Sequence, residues 1–229
     1  MNGWSHHTGL GTVLDLENVD TDQLIPARFM STPRSEGYGQ FLLHDMRTDL
    51  TGAPIGSFPI NKWPGSTILV TRRNFGSGSS REAAVYALVD FGIRAVIAPS
   101  FGDIFASNAV NNGLLPACVT EKTAEVLIAR LYERQAEMSI RLNEQIVELD
   151  GYTFDFEIDA VWREKLVNGW DDIDLTLVHR AAIADHRNQI SKMQPWHFRE
   201  GEMPYDRVAW ERRIKLSQGT GIGNRRNHP

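Results

Sequence analysis

The sequence predicts an α/β domain with a central sheet flanked by helices, and one stretch carries most of this prediction. Residues 67–71 are apolar and β-branched, which favours a buried strand. Residues 81–91 place apolar side chains at helical spacing and are followed by Gly92, a typical helix end. Residues 94–98 form a second apolar run. The stretch is therefore a β-loop-α-β unit.

The loop inside this unit permits two interpretations. Gly76 and Gly78 let the chain adopt positive φ or let a ligand approach closely. Ser79 and Glu82 have the S-x-x-E spacing of a capping box, which would make the loop a tight turn with an ordinary cap. Alternatively, the free N–H groups of the helix start, a serine hydroxyl and Arg81 could bind a carboxylate or phosphate. Neither a Walker loop nor a G-x-G-x-x-G pattern is present in the sequence.

The segment before this unit begins with a predicted strand over residues 11–16. Residues 18–22 form a polar turn whose acidic and amide groups could ligate a metal. A D-x-D pair is more typical of turns, however, and no later glutamate has calcium-loop spacing. Residues 26–39 contain two prolines and two glycines, which predicts a long mobile loop. A short helix is predicted over residues 40–49.

The segment after the unit continues the alternation of helices and strands. The predicted elements are a helix from Asp103 to Gly113, a strand over 114–119, an amphipathic helix capped by Thr120, strands over 139–142, 145–149 and 152–158 with a hairpin turn at Asp150-Gly151, a helix from Asp159 to about Gly169, and a helix from Asp174 to about Met193.

The last part of the chain changes character. Residues 194–229 contain seven Lys/Arg against four Asp/Glu, together with Trp196 and Trp210. Such a segment is either an interaction arm for an acidic partner or a peripheral extension that packs its tryptophans on the body. We therefore predict one domain over residues 1–193 and a basic, aromatic C-terminal extension over 194–229, and we favour the peripheral interpretation.

Composition excludes several classes of protein. The 229 residues carry a formal net charge of −5, which argues against nucleic acid as a partner. No apolar run is long enough to span a membrane, and the first ten residues lack the apolar core of a signal peptide. The single cysteine, Cys118, cannot by itself hold an iron–sulfur cluster or a structural zinc. A cytoplasmic location is expected.

Several motifs, in order and at matching spacing, resemble one family. Together they resemble the small subunits of 3-isopropylmalate dehydratase, which are related to the swivelling domain of aconitases. The resemblance covers roughly residues 5–190. The matching pieces are HTG at 7–9, NVDTDQLIP at 18–26, NFG at 74–76, GSSRE at 78–82, AVIAPSF at 95–101, DIF at 103–105, NGLLP at 112–116, NG at 168–169 and LTL at 175–177.

The resemblance implies a role for each candidate site residue. Ser79 would be the base that takes a proton from the substrate carbon. Ser80 and Arg81 would hold a substrate carboxylate, with Asp22 at the edge of the site. Arg34, in the loop after the Asp-Thr-Asp motif, would recognise the variable side of the substrate.

The resemblance also implies the fold, the reaction and the partner. The expected fold is a swivelling β/β/α domain, and the expected reaction is dehydration and rehydration of a hydroxy diacid, most simply isopropylmalate in leucine biosynthesis. The [4Fe–4S] cluster would belong to a large subunit, and this chain would bind no metal. A serine is a poor base in water, so positive charge and oriented donors must stabilise its alkoxide. Arg81 and the helix N-terminus offer both.

Two positions depart from the family pattern. Ser77 stands where the family usually has cysteine, and Ala83 stands where it usually has histidine. The alternatives are therefore a related diacid dehydratase, of the citramalate or homoaconitate type, and a non-catalytic anion-binding paralogue. A large subunit that co-purifies with the chain and carries a cluster-binding cysteine trio would distinguish the enzyme from the paralogue.

Overall fold

Seven strands form one mixed sheet in the computed structural model, which describes residues 3–194 and Trp196. The strands are β1 (His6–Leu14), β2 (Ser66–Thr71), β3 (Ala95–Ala98), β4 (Leu115–Cys118), β5 (Ala136–Arg141), β6 (Ile146–Leu149) and β7 (Tyr152–Asp155). Their order across the sheet is β4-β3-β2-β1-β5-β6-β7. Strands β1 to β4 run parallel, and β5 to β7 continue the sheet antiparallel from β1.

Helices lie between the strands from β1 to β5 and follow β7. In the described residues they are α1 (Thr21–Leu24), α2 (His44–Arg47), α3 (Pro59–Lys62), α4 (Glu82–Phe91), α5 (Asp103–Asn111), α6 (Glu121–Leu131), α7 (Ala160–Asn168), α8 (Asp172–Val178) and α9 (Arg180–Met193). None of the described helices is both long and apolar enough to cross a membrane.

The alternation of side chains along β2 divides the core between the two faces. Leu69 packs with Leu88 of α4 in one buried cluster. Ile68 and Val70 point to the other face, where they pack with Leu127 of α6 in a second cluster. Because successive side chains of a strand point to opposite faces, a fully apolar strand requires cover on both sides. The predicted α/β fold with a sheet flanked by helices is confirmed.

Most of the predicted elements are present. Thr120 caps α6, Asp159 caps α7, and β6 and β7 meet at the Asp150-Gly151 turn with positive φ at both residues. The helix predicted from Asp174 to Met193 is instead two helices, α8 and α9, which are separated at His179. The predicted loop over 26–39 contains the 3₁₀ turns Ala27–Ser31 and Arg34–Glu36, and a third follows at Gly39–Phe41.

The chain divides into two compact units. The first extends to Asp172 and contains the whole sheet, and the second begins at Ile173 and contains α9. The predicted boundary between a domain over 1–193 and an extension over 194–229 stays a prediction. Apart from Gln194 and Trp196, that extension lies outside the described residues.

The carboxyl ends of the parallel strands meet at one edge of the sheet, and the loops that leave them pair with each other. Asp20, after β1, forms an isolated bridge with Ser77, after β2. Phe75, also after β2, forms another with Phe101, after β3. Binding sites of parallel α/β sheets form at this edge. The edge therefore brings the polar turn after β1 beside the glycine-serine loop after β2.

Candidate active site

Two loops are joined by backbone hydrogen bonds at the carboxyl edge of the sheet. The N–H of Gly76 donates to the carbonyl of Val19 over 2.7 Å, and the N–H of Thr21 donates to the carbonyl of Ser77 over 2.9 Å. Asn74 Nδ2 also donates to Asn18 Oδ1 over 2.8 Å. These bonds hold the Asp-Thr-Asp segment of residues 20–22 against the glycine-serine loop.

Glycine is required where this loop passes over α5. Gly76 has a φ of +74°, and a Cβ at this position would lie 2.1 Å from Cγ of the buried Phe105 ring. Gly78 has a φ of +95°, a region in which residues with a Cβ are strained. The loop therefore follows a path that other residues would not permit, and this path delivers Ser79 to its partner on α1.

Ser79 is exposed, and its side chain is held by a buried threonine. Ser79 Oγ lies 3.1 Å from Oγ1 of Thr21, which also accepts the Ser79 N–H over 3.2 Å. Thr21 is 1% exposed and is the first residue of α1. Sequence reasoning did not identify Thr21, although its place inside the Asp-Thr-Asp motif was a signal for it.

The structure excludes the capping-box interpretation of Ser79. Helix α4 begins at Glu82, its N-cap residue is Arg81, and no side chain caps it. The capping box forms instead at α1, where Asp20 Oδ1 accepts the Gln23 N–H over 2.7 Å and Gln23 Oε1 accepts the Asp20 N–H over 2.8 Å. The S-x-x-E pattern was misleading because the Ser79 side chain points across to Thr21 rather than along α4.

Arg81 and Asp22 form an ion pair at the edge of the site. The Arg81 side chain is 23% exposed, whereas that of Asp22 is 57% exposed, so the carboxylate is the more open partner. Arg81 immediately precedes α4, whose first N–H groups lack helical partners and give this end a partial positive charge. The exposed Ser80 lies between Ser79 and Arg81 in the chain. The arrangement already holds one carboxylate, that of Asp22, on the guanidinium.

Arg34 does not lie with the other candidate residues. Its guanidinium donates to both oxygens of Asp90, near the C-terminal end of α4, and lies over the ring of Tyr86 at 4.4 Å. Asp90 is eight residues beyond Glu82, which corresponds to about 12 Å along a helix. The structure thus brings Asp22, Ser79 and Arg81 together and places Arg34 at the opposite end of α4.

Both acidic side chains of the Asp-Thr-Asp segment, which could have ligated a metal, already have protein partners in this structure. Asp20 caps α1, and Asp22 pairs with Arg81. Within the described part of the chain, no three His, Cys, Asp or Glu side chains are grouped closely enough to hold a metal ion. Cys118, at the end of β4, donates its thiol to the carbonyl of Pro99 over 3.2 Å.

Comparison with known proteins places this architecture in one family. The family described as Aconitase C-terminal domain matches residues 1–122. The 3-isopropylmalate dehydratase small subunit of Shouchella clausii is 44% identical over 187 residues, which cover 81% of this chain and 95% of the relative. That of Shewanella amazonensis is 43% identical over 196 residues, which cover 83% of this chain and 98% of the relative.

A solved structure supports the same assignment. The crystal structure of 3-isopropylmalate dehydratase from Methanocaldococcus jannaschii matches 79% of this chain and 98% of its own, with a TM-score of 0.58 and 27% identity. The match extends the similarity from the sequence to the three-dimensional fold. This chain therefore belongs to the family of 3-isopropylmalate dehydratase small subunits, and its fold is that of the aconitase C-terminal domain.

Proposed function

We propose that this chain is the small subunit of a 3-isopropylmalate dehydratase, a hydro-lyase that interconverts 2-isopropylmalate and 3-isopropylmalate in leucine biosynthesis. Identity of 44% to a named small subunit, over 81% of this chain, supports the activity. The observation that carries the residue assignment is the clustering of Ser79, Arg81 and Asp22 at the carboxyl edge of the sheet.

Ser79 acts in this proposal as the base. Its alkoxide takes a proton from one substrate carbon, and the electron pair of that C–H bond forms the double bond as a hydroxyl leaves the neighbouring carbon. The proton stays on Ser79 Oγ. In the rehydration step the two positions are exchanged. Ser79 gives the proton to the carbon that lost the hydroxyl, and a hydroxyl adds to the carbon that lost the proton, which yields the other isomer. Each turnover therefore regenerates the alkoxide.

Arg81 and Ser80 bind a substrate carboxylate in this proposal. The planar guanidinium suits two-point recognition of a carboxylate, and the start of α4 adds oriented N–H groups. In the structure the carboxylate of Asp22 forms an ion pair with the Arg81 guanidinium, at the position proposed for the substrate carboxylate. Because Asp22 is more than half exposed, a substrate carboxylate can replace it without disturbing the core.

A large subunit completes the site. Ser79 and Ser80 are exposed, so a second surface must exclude water from the reacting carbons. We assign the [4Fe–4S] cluster to that partner, because this chain has one cysteine and burial beside Glu157 raises the pKa of its thiol, which disfavours the thiolate that ligates iron. When bound, the cluster supplies the Lewis acid for the departing hydroxyl.

The alternative of a non-catalytic paralogue gains no support from Ala83. This residue lies in the first turn of α4 and is buried in the core cluster, and Ser79 and Arg81 reach their partners without a polar group at position 83. Ser77 contributes its backbone carbonyl, which accepts the Thr21 N–H, so its side chain is not required for that contact. Both departures therefore leave the proposed site intact.

Reconstitution tests the proposed function. The purified chain is mixed with a cluster-loaded large subunit from one of the relatives, and formation of the alkene from each isopropylmalate isomer is followed. We expect no turnover from either subunit alone and turnover from the mixture. Turnover by this chain alone without metal, or none from a complex shown to have assembled, would contradict the proposal.

A further inference from the structure

The side-chain hydroxyl of Thr21 is directed entirely at Ser79. Its Oγ1 lies 3.1 Å from Ser79 Oγ and 3.2 Å from the Ser79 carbonyl oxygen, and it accepts the Ser79 N–H over 3.2 Å. Thr21 is 1% exposed, so its own hydroxyl is shielded from bulk water. The proposed base thus has a buried hydroxyl as its immediate neighbour.

The Thr21 hydroxyl has only one hydrogen to share between its possible acceptors on Ser79. A hydroxyl donates one hydrogen and accepts at two lone pairs. The Ser79 N–H can only donate, so it occupies one lone pair of Thr21. The single hydrogen of Thr21 then has two acceptors within reach, the Ser79 carbonyl oxygen and Ser79 Oγ. A negatively charged acceptor forms the stronger bond, so this hydrogen turns to Oγ when Ser79 is an alkoxide.

The backbone around Thr21 holds this donor in place. The N–H of Thr21 donates to the Ser77 carbonyl over 2.9 Å, and the capping box of Asp20 and Gln23 fixes the turn in which Thr21 lies. Only rotation about the Thr21 C–O bond is needed to redirect the hydrogen. A donor that is already oriented towards developing charge stabilises it without reorganisation of the site.

We propose that Thr21 is a positioning residue for the reaction, and that its buried hydroxyl turns from the Ser79 carbonyl to Ser79 Oγ and stabilises the alkoxide. The inference rests on the proposed function, since it requires Ser79 to be the base. Thr21 itself touches neither substrate nor cluster in this account. Its effect is exerted through the proton affinity of Ser79.

The test compares Thr21→Val with Thr21→Ser in the complex with the large subunit. Valine keeps the shape and removes the hydroxyl, whereas serine keeps the hydroxyl. We expect Thr21→Val to lower kcat about 100-fold, the loss measured for removal of one oxyanion donor, with KM nearly unchanged. The rising limb of the kcat–pH profile, on the acidic side, should move to higher pH, because activity requires deprotonated Ser79 and loss of the donor raises its proton affinity. Thr21→Ser should stay within a few-fold of wild type.

Thr12 provides a matched control for removal of a buried threonine hydroxyl. It is also 1% exposed, and its Oγ1 has no hydrogen-bond partner among the described residues. Thr12→Val should therefore leave kcat and the pH profile unchanged. If Thr21→Val does not assemble with the large subunit, Thr21→Ala and Thr21→Ser form a second pair, because both lack the methyl group and only serine retains the hydroxyl.

Ser79→Ala, measured in parallel, separates failure of this inference from failure of the proposed function. If Ser79→Ala is inactive while Thr21→Val turns over within threefold of wild type, the inference is overturned and the base assignment stands. The inference is also overturned if Thr21→Ser is as impaired as Thr21→Val, or if the pH profile does not move. If Ser79→Ala is active, the base assignment itself fails, and the role of Thr21 fails with it.

Discussion

Arg34 and Asp90 form a two-point ion pair near the C-terminal end of α4. Arg34 Nη2 donates to Asp90 Oδ1 over 2.8 Å, Nη1 donates to the other oxygen, and the backbone N–H of Tyr38 donates to the same carboxylate over 2.7 Å. The pair anchors residues 34–38 on α4. Arg34 must therefore leave Asp90 before it can contact a substrate beside Ser79.

Separate replacement of Arg34 and Asp90 tests the predicted role of Arg34 in substrate recognition. Arg34→Ala should change the ratio of kcat/KM for isopropylmalate to that for a smaller hydroxy diacid. Asp90→Asn releases the anchor but keeps the guanidinium, so it should leave that ratio within about twofold, since the contact that discriminates is retained. Equal changes in the two variants, or a uniform loss for both substrates, would assign Arg34 to anchoring the loop.

Arg81→Lys tests the carboxylate site. Lysine keeps the charge but loses the planar fork, so one charge-assisted bond is lost. Such bonds contribute about 1.5–3 kcal/mol, so the substrate Kd should rise roughly 10- to 100-fold. Isothermal titration of the assembled complex measures it. Arg73→Lys is the control, since Arg73 pairs with Glu17 on the exposed surface. An unchanged Kd in Arg81→Lys would remove Arg81 from the binding site.

Lys165 is a buried cation whose pairing predicts a pH-dependent stability. It is 3% exposed, and its ammonium donates to Asp172 Oδ1 over 2.6 Å and to Asn111 Oδ1. The bond to Lys165 lowers the pKa of Asp172. A carboxyl with a folded pKa below its unfolded value of about 3.9 stabilises the protein above that pH, and this contribution is lost as pH falls through the folded pKa.

Asp172→Asn should therefore destabilise the protein near neutral pH and have less effect in acid. Because Asp172 is largely exposed, we expect a loss of about 1 kcal/mol at pH 7. Urea unfolding of both proteins at pH 7 and pH 3 measures it, with exposed Asp155→Asn as control. A difference between Asp172→Asn and wild type that is equal at both pH values would show that this ion pair does not stabilise the fold.

The hydrophobic pattern of the sequence predicted the fold well, because strands covered on both faces of the sheet are apolar throughout and therefore easy to recognise. The apolar runs of β2 and β3, and the amphipathic face of α6, lie where the pattern placed them. The break at His179 was not predicted, because helical periodicity continues through residues 172–193 and no proline or glycine interrupts it. The three 3₁₀ turns after α1 likewise leave no periodic signature.

The site was less predictable because its contacts join segments that are far apart in the chain. Motif matching placed Ser79, Arg81 and Asp22, and the structure brings these three together. The partner of Ser79, Thr21, is 58 residues away, and local spacing gave no sign that their hydroxyls meet. Local spacing instead indicated a cap for Ser79. For Arg34, position in the loop could not indicate that Asp90, 56 residues later, holds it.

Turnover by Ser79→Ala in the complex with saturating large subunit is the most direct test of the central claim that Ser79 is the base. We predict a decrease in kcat of about 10²- to 10⁴-fold, the usual contribution of a general base, with substrate affinity retained because Arg81 remains. Ser80→Ala is the matched control and should mainly raise KM. Near-normal kcat in Ser79→Ala would contradict the account and leave Ser79 a structural partner of Thr21.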